Sequence, residues 1–373
     1  MQRIKVLELI NRGDLGGGQS QILSILRNID RDKFDVIIAA GGGGKFEDEV
    51  NRLGFRFFPA ELPKILRHKY LSKLQELYGE NNFHIVHSHG GVGGFYGRLL
   101  KRHNKNLKCI HTFHAINYVN YENVLLRGVS KSIDQYLVQF TDLTICVSDA
   151  DYKIAIENKI ADENKTVVIK NGIDISRFAN NSKNTKLKES LGFNSKHFII
   201  GNVSRFNLQK NQRLIIQASY YLLKKYPEMR FVLVGDGQML KKVKEYARES
   251  ELDGYVIFTG ERTNIADYYS IFDMFVFPSF WEGLPIVLLE AMASRVPVIC
   301  SNIASHLEIV KNNYSALTVN PYEADELISK ISMLYKNPEL RDKLVQNALI
   351  EVTQYDENEM TKKIESAYER VLI

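Results

Sequence analysis

The chain has 373 residues and a formal net charge of +5, and it is 45% hydrophobic and 25% charged. This balance is that of a globular protein with a packed core, so it excludes the disordered and fibrous classes. A chain of this length usually divides into two domains, and we expect two here.

Short runs rich in Val, Ile and Phe alternate with longer amphipathic segments, which indicates parallel sheets built from strand–helix–strand units. In the first half the predicted strands cover residues 4–10, 34–40, 83–89, 108–114, 143–148 and 166–172. In the second half they cover residues 198–204, 231–237, 256–260, 274–279 and 296–301. The polar segment 171–190 between the halves has the composition of a linker. Two doubly wound domains facing each other would place strand ends around a shared cleft, where ligands bind such sheets.

Signals for export or membrane insertion are weak. The opening apolar stretch, residues 4–10, is short for the hydrophobic region of a signal peptide. No window approaches the roughly 18 apolar residues of a spanning helix. The cysteines Cys109, Cys146 and Cys300 lie in apolar runs typical of buried strands. We therefore expect a cytoplasmic protein whose thiols are inert.

Positive charge is concentrated between Pro63 and Lys131, where the sequence has eleven Lys or Arg and three acidic residues. Two interpretations stay open. The charges are solvated helix faces, or they meet an anionic surface such as a membrane leaflet or a phosphorylated acceptor. A nucleic-acid partner is disfavoured, because no arginine–aromatic motif accompanies the charge.

Glycine-rich loops follow the first two predicted strands. Gly16, Gly17 and Gly18 open a predicted helix, a geometry in which backbone amides bind anions. They do not form the dinucleotide fingerprint, which requires a glycine at Gln21 and an acid at the end of the second strand. The segment 41–45, GGGGK, fails the P-loop pattern as well. Dehydrogenase and NTPase functions are therefore disfavoured, and no cofactor is expected.

The segment 279–301, SFWEGLPIVLLEAMASRVPVICS, combines a turn with an apolar helix that carries a carboxylate. Pro285 suits the first helical position, and the backbone N–H groups of the turn then suit a phosphate or a sugar hydroxyl. Glu290 lies seven residues after Gly283, almost two turns, so it returns to the same helix face. A buried carboxylate needs a partner, which is either a hydroxyl-rich ligand or an internal donor. A purely structural buried glutamate is the alternative.

From Glu282 to Glu290 the sequence resembles the E-x7-E signature of the retaining group 1 (family 4) glycosyltransferases. The resemblance continues through segments in both halves, namely residues 15–26, 142–151, 167–178, 201–218, 231–238 and 256–279. It implies an α/β protein of the GT-B fold, in which two Rossmann-like doubly wound parallel-sheet domains face a central cleft.

The resemblance also implies domain limits. Residues 1–175 would form the acceptor-binding domain and residues 176–355 the domain that binds the nucleotide-sugar donor. The amphipathic segment at about 356–373 would be a helix that packs back on the first domain.

Roles for individual residues follow from the same resemblance. Arg205 and Lys210 would neutralise the diphosphate leaving group, the main electrostatic need of glycosyl transfer. Glu290 would bind the ribose hydroxyls. His114, at a strand end, would be the active-site histidine. Glu282 would be a further catalytic residue, which holds the donor sugar. Further donor contacts are implied for Gly16, Gly17, Gly18, Arg262, Glu282, Gly283, Leu284, Pro285 and Ile286. Without the resemblance, the two cations would be surface charges and His114 a packed strand-end residue.

The implied reaction moves a sugar from a nucleotide-diphosphate sugar, UDP before GDP, to a saccharide or lipid-linked saccharide acceptor. It retains the anomeric configuration by front-face displacement, with phosphate as the base, and needs no essential metal. The setting is bacterial-type polysaccharide or glycoconjugate synthesis at the inner face of the membrane, with peripheral contact through the basic region 63–131. The alternatives are a nucleotide-sugar-binding protein without turnover and a phosphorylase or epimerase on a similar fold.

Three other site types receive less support from the sequence. His87 and His89 share one strand face, but no third metal ligand follows at a sensible spacing, so a zinc site is disfavoured. The pair Asp149 and Asp151 follows Ser148, a predicted helix cap, and is better explained as acids in a first helical turn than as a metal motif. A glycosidase pair is disfavoured because Glu290 lies two turns into a helix.

The chain departs from the family pattern at a few positions. Arg295 stands where the family usually has glycine, and the segment 302–310 replaces a glycine-rich turn while Glu308 keeps the family's glutamate. Gln19 replaces a frequent glutamate after the glycine loop.

Overall fold

The computed structural model describes residues 3–63, 67–180 and 182–373. Contacts divide the chain into two compact units, each built on one parallel sheet. Unit 1 comprises Met1–Gly172 and Glu357–Ile373, and unit 2 comprises Ile173–Asp356.

Unit 1 contains a seven-stranded sheet in the order β3-β2-β1-β4-β5-β6-β7. Its strands are β1 Ile4–Leu9, β2 Phe34–Ala40, β3 Arg56–Pro59, β4 Ile85–His89, β5 Lys108–Phe113, β6 Leu143–Cys146 and β7 Thr166–Val168. Its helices are α1 Gly17–Asn28, α2 Lys45–Arg52, α3 His68–Asn81, α4 Gly90–His103, α5 Val124–Leu137, α6 Asp149–Glu157 and, at the end of the chain, α16 Glu357–Leu372.

Both faces of this sheet are covered, because successive side chains of a strand point to opposite sides. Val6 of β1 and Ile85 of β4 belong to a core that also contains side chains of α1 and α16. Leu7 of β1 and Val86 of β4 belong to a second core with side chains of α3 and α4. The strands therefore form continuous apolar runs, which is why the sequence predicts them well.

Unit 2 contains a six-stranded sheet in the order β10-β9-β8-β11-β12-β13. Its strands are β8 Phe198–Val203, β9 Met229–Val234, β10 Val256–Gly260, β11 Met274–Phe277, β12 Val298–Ser301 and β13 Leu317–Val319. Its helices are α7 Ile175–Ala179, α8 Thr185–Ser190, α9 Gln212–Leu223, α10 Leu240–Glu249, α11 Ile265–Ile271, α12 Ile286–Ala293, α13 Ala304–Leu307, α14 Ala324–Lys336 and α15 Pro338–Val352.

Three structural expectations need correction. The sequence did not predict β3 or β13, two short edge strands of four and three residues. The segment 171–190 is not a plain linker, because it forms α7 and α8 within unit 2. Helix α12 begins at Ile286, and Pro285 is its N-cap in an extended conformation rather than its first residue.

The three cysteines are free and buried, as predicted. Burial raises the pKa of Cys109 to about 12 and raises the pKa values of Cys146 and Cys300 as well, so all three stay protonated. Among the residues that the structure describes, no helix has the length and apolar character needed to cross a membrane.

Candidate functional site

The strand order of unit 2 places two loops side by side. β8 lies between β9 and β11, so the order of the sheet reverses at this strand. Open sheets of this kind bind ligands beyond the carboxyl ends of the strands at the reversal. The loops that follow β8 (residues 204–211, the β8 loop) and β11 (residues 278–285, the β11 loop) therefore form the candidate site of unit 2.

Hydrogen bonds join these two loops directly. The backbone N–H of Phe280 donates to the carbonyl of Gln209 at 2.8 Å, and Nε2 of Gln209 donates to the carbonyl of Trp281 at 2.6 Å. Nδ2 of Asn211 donates to the carbonyl of Pro278 at 3.2 Å. The side chains on the two loops are thus held in a fixed mutual arrangement.

Two glycines after β9 support the β8 loop from the other side. A Cβ atom on Gly235 would lie 2.0 Å from the carbonyl oxygen of Ser204, and one on Gly237 would lie 2.4 Å from that of Phe206. Both glycines have a positive φ, 138° and 149°, which other residues rarely adopt. No side chain would fit here without displacing the β8 loop.

Lys210 of the β8 loop and Glu282 of the β11 loop form an ion pair. Nζ of Lys210 lies 2.6 Å from Oε1 of Glu282, and the two side chains are only 17% and 7% exposed. Nε2 of Gln209 donates to the other carboxylate oxygen at 3.2 Å, and Lys210 also lies 5.1 Å from the ring centroid of Phe277. The carboxylate thereby fixes the position of a cation at the strand reversal, where an anion can approach it.

Glu290 has an internal hydrogen-bond donor. Oη of Tyr269, in α11, lies 3.0 Å from Oε2 of Glu290 and 3.1 Å from the carbonyl oxygen of Val287. Burial raises the pKa of Glu290 to about 7, although the Tyr269 hydrogen bond and the charge of Arg177 act in the opposite direction. Near neutral pH this carboxyl group is therefore poised between its protonated and ionised forms.

The turn before α12 is buried. Gly283, Leu284, Pro285 and Ile286 are each largely inaccessible to solvent. The backbone of this turn leads directly into α12, so the helix N-terminus lies at the β11 loop, close in sequence to Glu282.

The two other predicted cations differ in position. Arg205 is partly buried in the β8 loop, and its carbonyl accepts a hydrogen bond from Nε2 of Gln212 at 3.0 Å. Arg262 is exposed in the loop after β10, the edge strand that β9 separates from β8. The structure thus brings Arg205, Lys210 and Glu282 onto neighbouring loops and leaves Arg262 further along the sheet edge.

In unit 1 the glycine loop and His114 are neighbours. Helix α1 begins at Gly17, and Gly16 is its N-cap. A Cβ atom on Gly18 would lie 3.2 Å from Cδ2 of His114 and 2.9 Å from Cδ1 of Ile10. Gly18 therefore provides the space in which the imidazole of His114 lies.

A chain of hydrogen bonds determines which nitrogen of His114 carries the proton. Oε2 of Glu8 lies 2.6 Å from Nε2 of His89, and Nδ1 of His89 lies 2.9 Å from Nε2 of His114. Burial opposes ionisation of Glu8, but His87 and His89 outweigh it and hold the pKa of Glu8 well below its usual range. Burial lowers the pKa of His89 to about 4 and that of His114 well below its usual value, so both are neutral.

The proton positions then follow. The carboxylate of Glu8 only accepts, so His89 donates through Nε2 and accepts through Nδ1. His114 must donate through Nε2, and its Nδ1 keeps a lone pair. Within the described part of the chain this buried Nδ1 has no hydrogen-bond partner. His114 is therefore a hydrogen-bond acceptor suited to a hydroxyl group.

Glu8 also overturns one argument made from the sequence. Its carboxylate, His87 and His89 place ligand atoms within 4.8 Å of one another, so a third potential metal ligand does exist, on the neighbouring strand β1. These atoms also form hydrogen bonds in the structure. Oη of Tyr368 donates to Oε1 of Glu8 at 2.6 Å, and His87 contacts Thr112 at 2.7 Å.

The acids after β6 form the predicted helix start. The side chain of Ser148 accepts a hydrogen bond from the backbone N–H of Asp151 at 3.0 Å, as an N-cap does. Asp149 pairs with Lys170 at 2.9 Å. The cap interpretation of this segment is confirmed.

The departures from the family pattern have structural consequences. Arg295 has φ 60°, the left-handed conformation, directly after α12. Its N–H donates to the carbonyl of Met292 and that of Val296 to the carbonyl of Ala291, the two bonds of a Schellman motif. Glycine is the usual residue at such a position, which explains why Arg295 is unexpected. The segment 302–310 contains the short helix α13, whose His306 is fully buried and stacks on Phe277 at 5.4 Å.

Several residues that contribute to the two candidate sites were not predicted from the sequence. Gln209 and Tyr269 lie far in sequence from the glutamates they contact, and Glu8 lies 81 residues before His89. The available signal was a charged residue in the middle of an apolar strand, because a buried carboxylate requires partners.

The sequence models of two families match this chain, one in each unit. The family described as Glycosyl transferases group 1 matches residues 183–350, and Glycosyltransferase Family 4 matches residues 15–177.

Curated relatives and solved structures agree with these matches. A UDP-Gal:alpha-D-GlcNAc-diphosphoundecaprenol alpha-1,3-galactosyltransferase from Escherichia coli is 28% identical over 340 residues, 88% of this chain and 87% of its own. The Escherichia coli O-antigen biosynthesis glycosyltransferase WbnH is 26% identical over 305 residues, 82% of this chain and 83% of its own. The crystal structure of Anabaena Alr3699/HepE in complex with UDP and glucose has a TM-score of 0.86 at 20% identity, over 98% of this chain and 99% of its own.

The structural likeness covers the whole chain and confirms the predicted GT-B fold class. Unit 2 is thus similar to the group 1 glycosyl transferases and unit 1 to glycosyltransferase family 4, each over most of its length.

Proposed function

We propose that the protein transfers a sugar from a nucleoside diphosphate sugar to a saccharide or lipid-linked saccharide, with retention of configuration and without an essential metal. UDP is the favoured nucleotide and GDP the alternative. The product would enter polysaccharide or glycoconjugate synthesis. Unit 2 would bind the donor and unit 1 the acceptor.

One observation carries this proposal: the buried Lys210–Glu282 pair lies at the strand reversal of unit 2. A diphosphate that leaves the sugar gains negative charge, and a fixed cation stabilises that charge without reorganisation. Arg205 on the same loop would add a second cation. Since Glu282 is already ion-paired, it would orient Lys210 and contact the sugar rather than act as a bare nucleophile.

The remaining residues would bind the donor. Glu290, with one oxygen held by Tyr269, would accept hydrogen bonds from the ribose hydroxyls. Further donor contacts are proposed for the turn Gly283, Leu284, Pro285 and Ile286, for Arg262, and for Gly16, Gly17 and Gly18. His114 would accept a hydrogen bond from a sugar hydroxyl through Nδ1, the nitrogen that keeps its lone pair.

The names of similar proteins suggest the classes of donor and acceptor. The first relative's name gives UDP-Gal as donor and a GlcNAc-diphosphoundecaprenol as acceptor, and the HepE structure contains UDP. A lipid-linked acceptor would bring the protein to the inner face of the membrane. The basic region 63–131, in which residues 64–66 lie outside the described part, would supply the contact.

The reaction can be tested by release of UDP or GDP from a panel of nucleotide sugars. We expect release with UDP-sugars, unaffected by EDTA, and a product whose anomeric coupling in NMR matches that of the donor. Lys210→Ala and Glu282→Ala should lower the rate by about 10²-fold. The matched changes Lys241→Ala and Glu249→Ala, at exposed positions of α10, should leave it unchanged.

Four results would contradict the proposal. Binding of UDP-sugars without any release or transfer would support a binding protein instead. Equal rates for Lys210→Ala and Lys241→Ala, with circular dichroism showing that both proteins are folded, would refute the assignment of the Lys210–Glu282 pair to the active site. Formation of a sugar 1-phosphate from a glycan and inorganic phosphate would indicate a phosphorylase, and a changed sugar on the same nucleotide would indicate an epimerase.

A further inference from the structure

A carboxylate lies in the interior of unit 1, where no substrate can touch it. Glu8 lies in β1 between Leu7 and Leu9, and none of these three side chains has exposed surface. His89, its partner from β4, is only 1% exposed. A buried ion costs free energy even when it is paired, and apolar residues of similar volume often stabilise a fold as well or better. Glu8 and His89 can influence a reaction only through a neighbouring residue, and His114 is that neighbour.

The two oxygens of Glu8 accept hydrogen bonds from different groups. Oε1 accepts from the hydroxyl of Tyr368 at 2.6 Å, and Oε2 lies 2.6 Å from Nε2 of His89. Burial and the charge of Glu8 raise the pKa of Tyr368, so its hydroxyl keeps the proton that it donates. The carboxylate has no proton to give, so Nε2 of His89 must carry the hydrogen of the second bond.

His89 passes this direction on to His114. Burial lowers the pKa values of both imidazoles, so each is neutral and has one N–H and one lone pair. Nδ1 of His89 accepts from Nε2 of His114 at 2.9 Å, which leaves the lone pair of His114 on Nδ1. No protein group in the described part of the chain donates to that lone pair. A carboxylate two hydrogen bonds away thus makes His114 an acceptor.

The same contacts could run in the opposite direction. With a hydrogen-bond donor in place of the carboxylate, Nε2 of His89 would accept, its Nδ1 would donate, and Nδ1 of His114 would carry a proton. No ring would have to move, because the atoms in contact stay the same. The negative charge of Glu8 excludes this arrangement, and an amide or apolar side chain at the same position would not exclude it.

A lone pair and an N–H on His114 select different substrate groups. A lone pair requires a group that donates, such as a hydroxyl, whereas an N–H is satisfied by any acceptor. A polar group that stays unpaired in a buried site costs binding free energy, so a lone pair discriminates against a group that cannot donate by about tenfold or more.

We propose that Glu8 and His89 are positioning residues that hold His114 as a hydrogen-bond acceptor, so that the site selects a sugar hydroxyl and rejects an acceptor-only group in its place. The proposal deepens the proposed function and rests on it for the sugar nature of the substrate. The proton positions can be measured without turnover, so the two proposals can fail separately.

The first measurement locates the proton of His114 in the full chain without substrate. NMR of protein labelled with ¹⁵N-histidine distinguishes a protonated ring nitrogen from a bare one, and the spectrum of His114→Asn identifies the signals of His114. We expect a protonated Nε2 and a bare Nδ1 in the parent protein. Glu8→Gln, whose amide can donate to His89, and Glu8→Leu, which offers no acceptor, should move the proton to Nδ1 in a measurable fraction of molecules.

Tyr368→Phe is the matched control for this measurement. It removes a hydrogen bond from the same carboxylate but leaves the negative charge of Glu8 in place. It should therefore keep the parent positions of the protons, although it disturbs the same buried cluster. A shift seen in the Glu8 variants and not in Tyr368→Phe separates the effect of charge from that of a weakened core.

The second measurement is nucleotide release from the UDP-sugar that the parent protein uses fastest and from its deoxyfluoro analogues, in each of which fluorine replaces one hydroxyl. Fluorine accepts weakly and cannot donate. The parent protein should discriminate in kcat/KM against one analogue, and this discrimination should fall about tenfold or more in Glu8→Gln. The ratios for the other analogues should stay the same, which a general loss of structure would not produce. Glu249→Gln, at an exposed position of α10, should keep every ratio.

Three outcomes would overturn the proposal. The first is a proton on Nδ1 of His114 in the parent protein, which would also result if a metal ion were bound to Nε2 of His89. This outcome can be observed even if the variants do not fold. The second is the parent proton pattern in both Glu8 variants. The third is a changed pattern with unchanged discrimination, since the direction of the hydrogen bonds would then have no effect on specificity. Failure to turn over any UDP-sugar would refute the proposed function, while the NMR result would still decide whether Glu8 makes His114 an acceptor.

Discussion

Glu290→Gln should abolish the pH dependence of donor binding that the proposed function predicts. The pKa of Glu290 is raised to about 7, mainly by burial. Ribose hydroxyls donate hydrogen bonds to the ionised carboxylate of Glu290. A nucleotide sugar that requires this ionised form therefore binds in proportion to the ionised fraction. At about pH 6 roughly one molecule in ten is ionised, and at about pH 8 roughly nine in ten are, so affinity should rise about tenfold between them.

The groups around Glu290 determine in which direction a substitution shifts its pKa. Tyr269 and Arg177 both favour the ionised form of Glu290. Tyr269→Phe removes a donor from the carboxylate, so it should raise the pKa of Glu290 further and move the midpoint of the affinity curve to higher pH. Glu290→Gln should bind about tenfold more weakly at about pH 8, since a charge-assisted hydrogen bond becomes a neutral one, and should show a flat curve.

The measurement is calorimetric titration with an intact UDP-sugar in the absence of acceptor. An intact nucleotide sugar is preferable to UDP, whose terminal phosphate itself titrates in this range. Glu249→Gln, an exposed glutamate of α10, is the matched control and should follow the parent curve. A parent curve that is flat from about pH 6 to pH 8, or a Glu290→Gln curve as steep as that of the parent, would refute the assignment of Glu290 to the ribose.

The remaining predictions concern packing around the sites. Gly18→Ala should push the imidazole of His114 aside and lower the rate of transfer by about 10²-fold, whereas Gly79→Ala, in open space on α3, should leave the rate unchanged; equal rates would show that the contact is unimportant. Arg295→Gly should raise the free energy of unfolding by about 0.5–1 kcal/mol in urea titrations, because glycine adopts the left-handed conformation without strain, and a loss of stability would contradict this. Tyr368→Phe should lower stability by about 1–3 kcal/mol, because the buried carboxylate that it contacts loses a donor; an unchanged melting temperature would argue against that contact.

The sequence predicts all the central strands and two of the four edge strands, β7 and β10. Buried parallel strands are continuous apolar runs, and each of the eleven predicted strands corresponds to one in the structure. β3 and β13 were missed because their four and three residues contribute too few side chains for a recognisable pattern, whereas the equally short edge strand β7 was predicted as part of the longer segment 166–172. Helix starts were harder still, as the placement of Pro285 shows.

The candidate site was predictable where local spacing defines it and hidden where distant segments meet. The segment from Glu282 to Glu290 predicts a turn followed by a helix, which the structure has, although the helix begins at Ile286 and Gly283 is therefore not on its face. The partner of Glu290 comes from α11, and the partner of Lys210 lies 72 residues away, on the loop after another strand. Such pairs follow from the order of strands in the sheet, which a single sequence does not display.

The return of α16 to unit 1 has a consequence for how the protein is made. Tyr368, five residues from the end of the chain, contacts Glu8, and Met360 and Ile364 belong to the same core as the first strand. Unit 1 therefore cannot close its core until α16 has been synthesised, and unit 2, which lies between the two parts of unit 1 in the sequence, is complete by then. During synthesis β1 must wait for α16, and until then Glu8 lacks the hydrogen bond that Tyr368 donates.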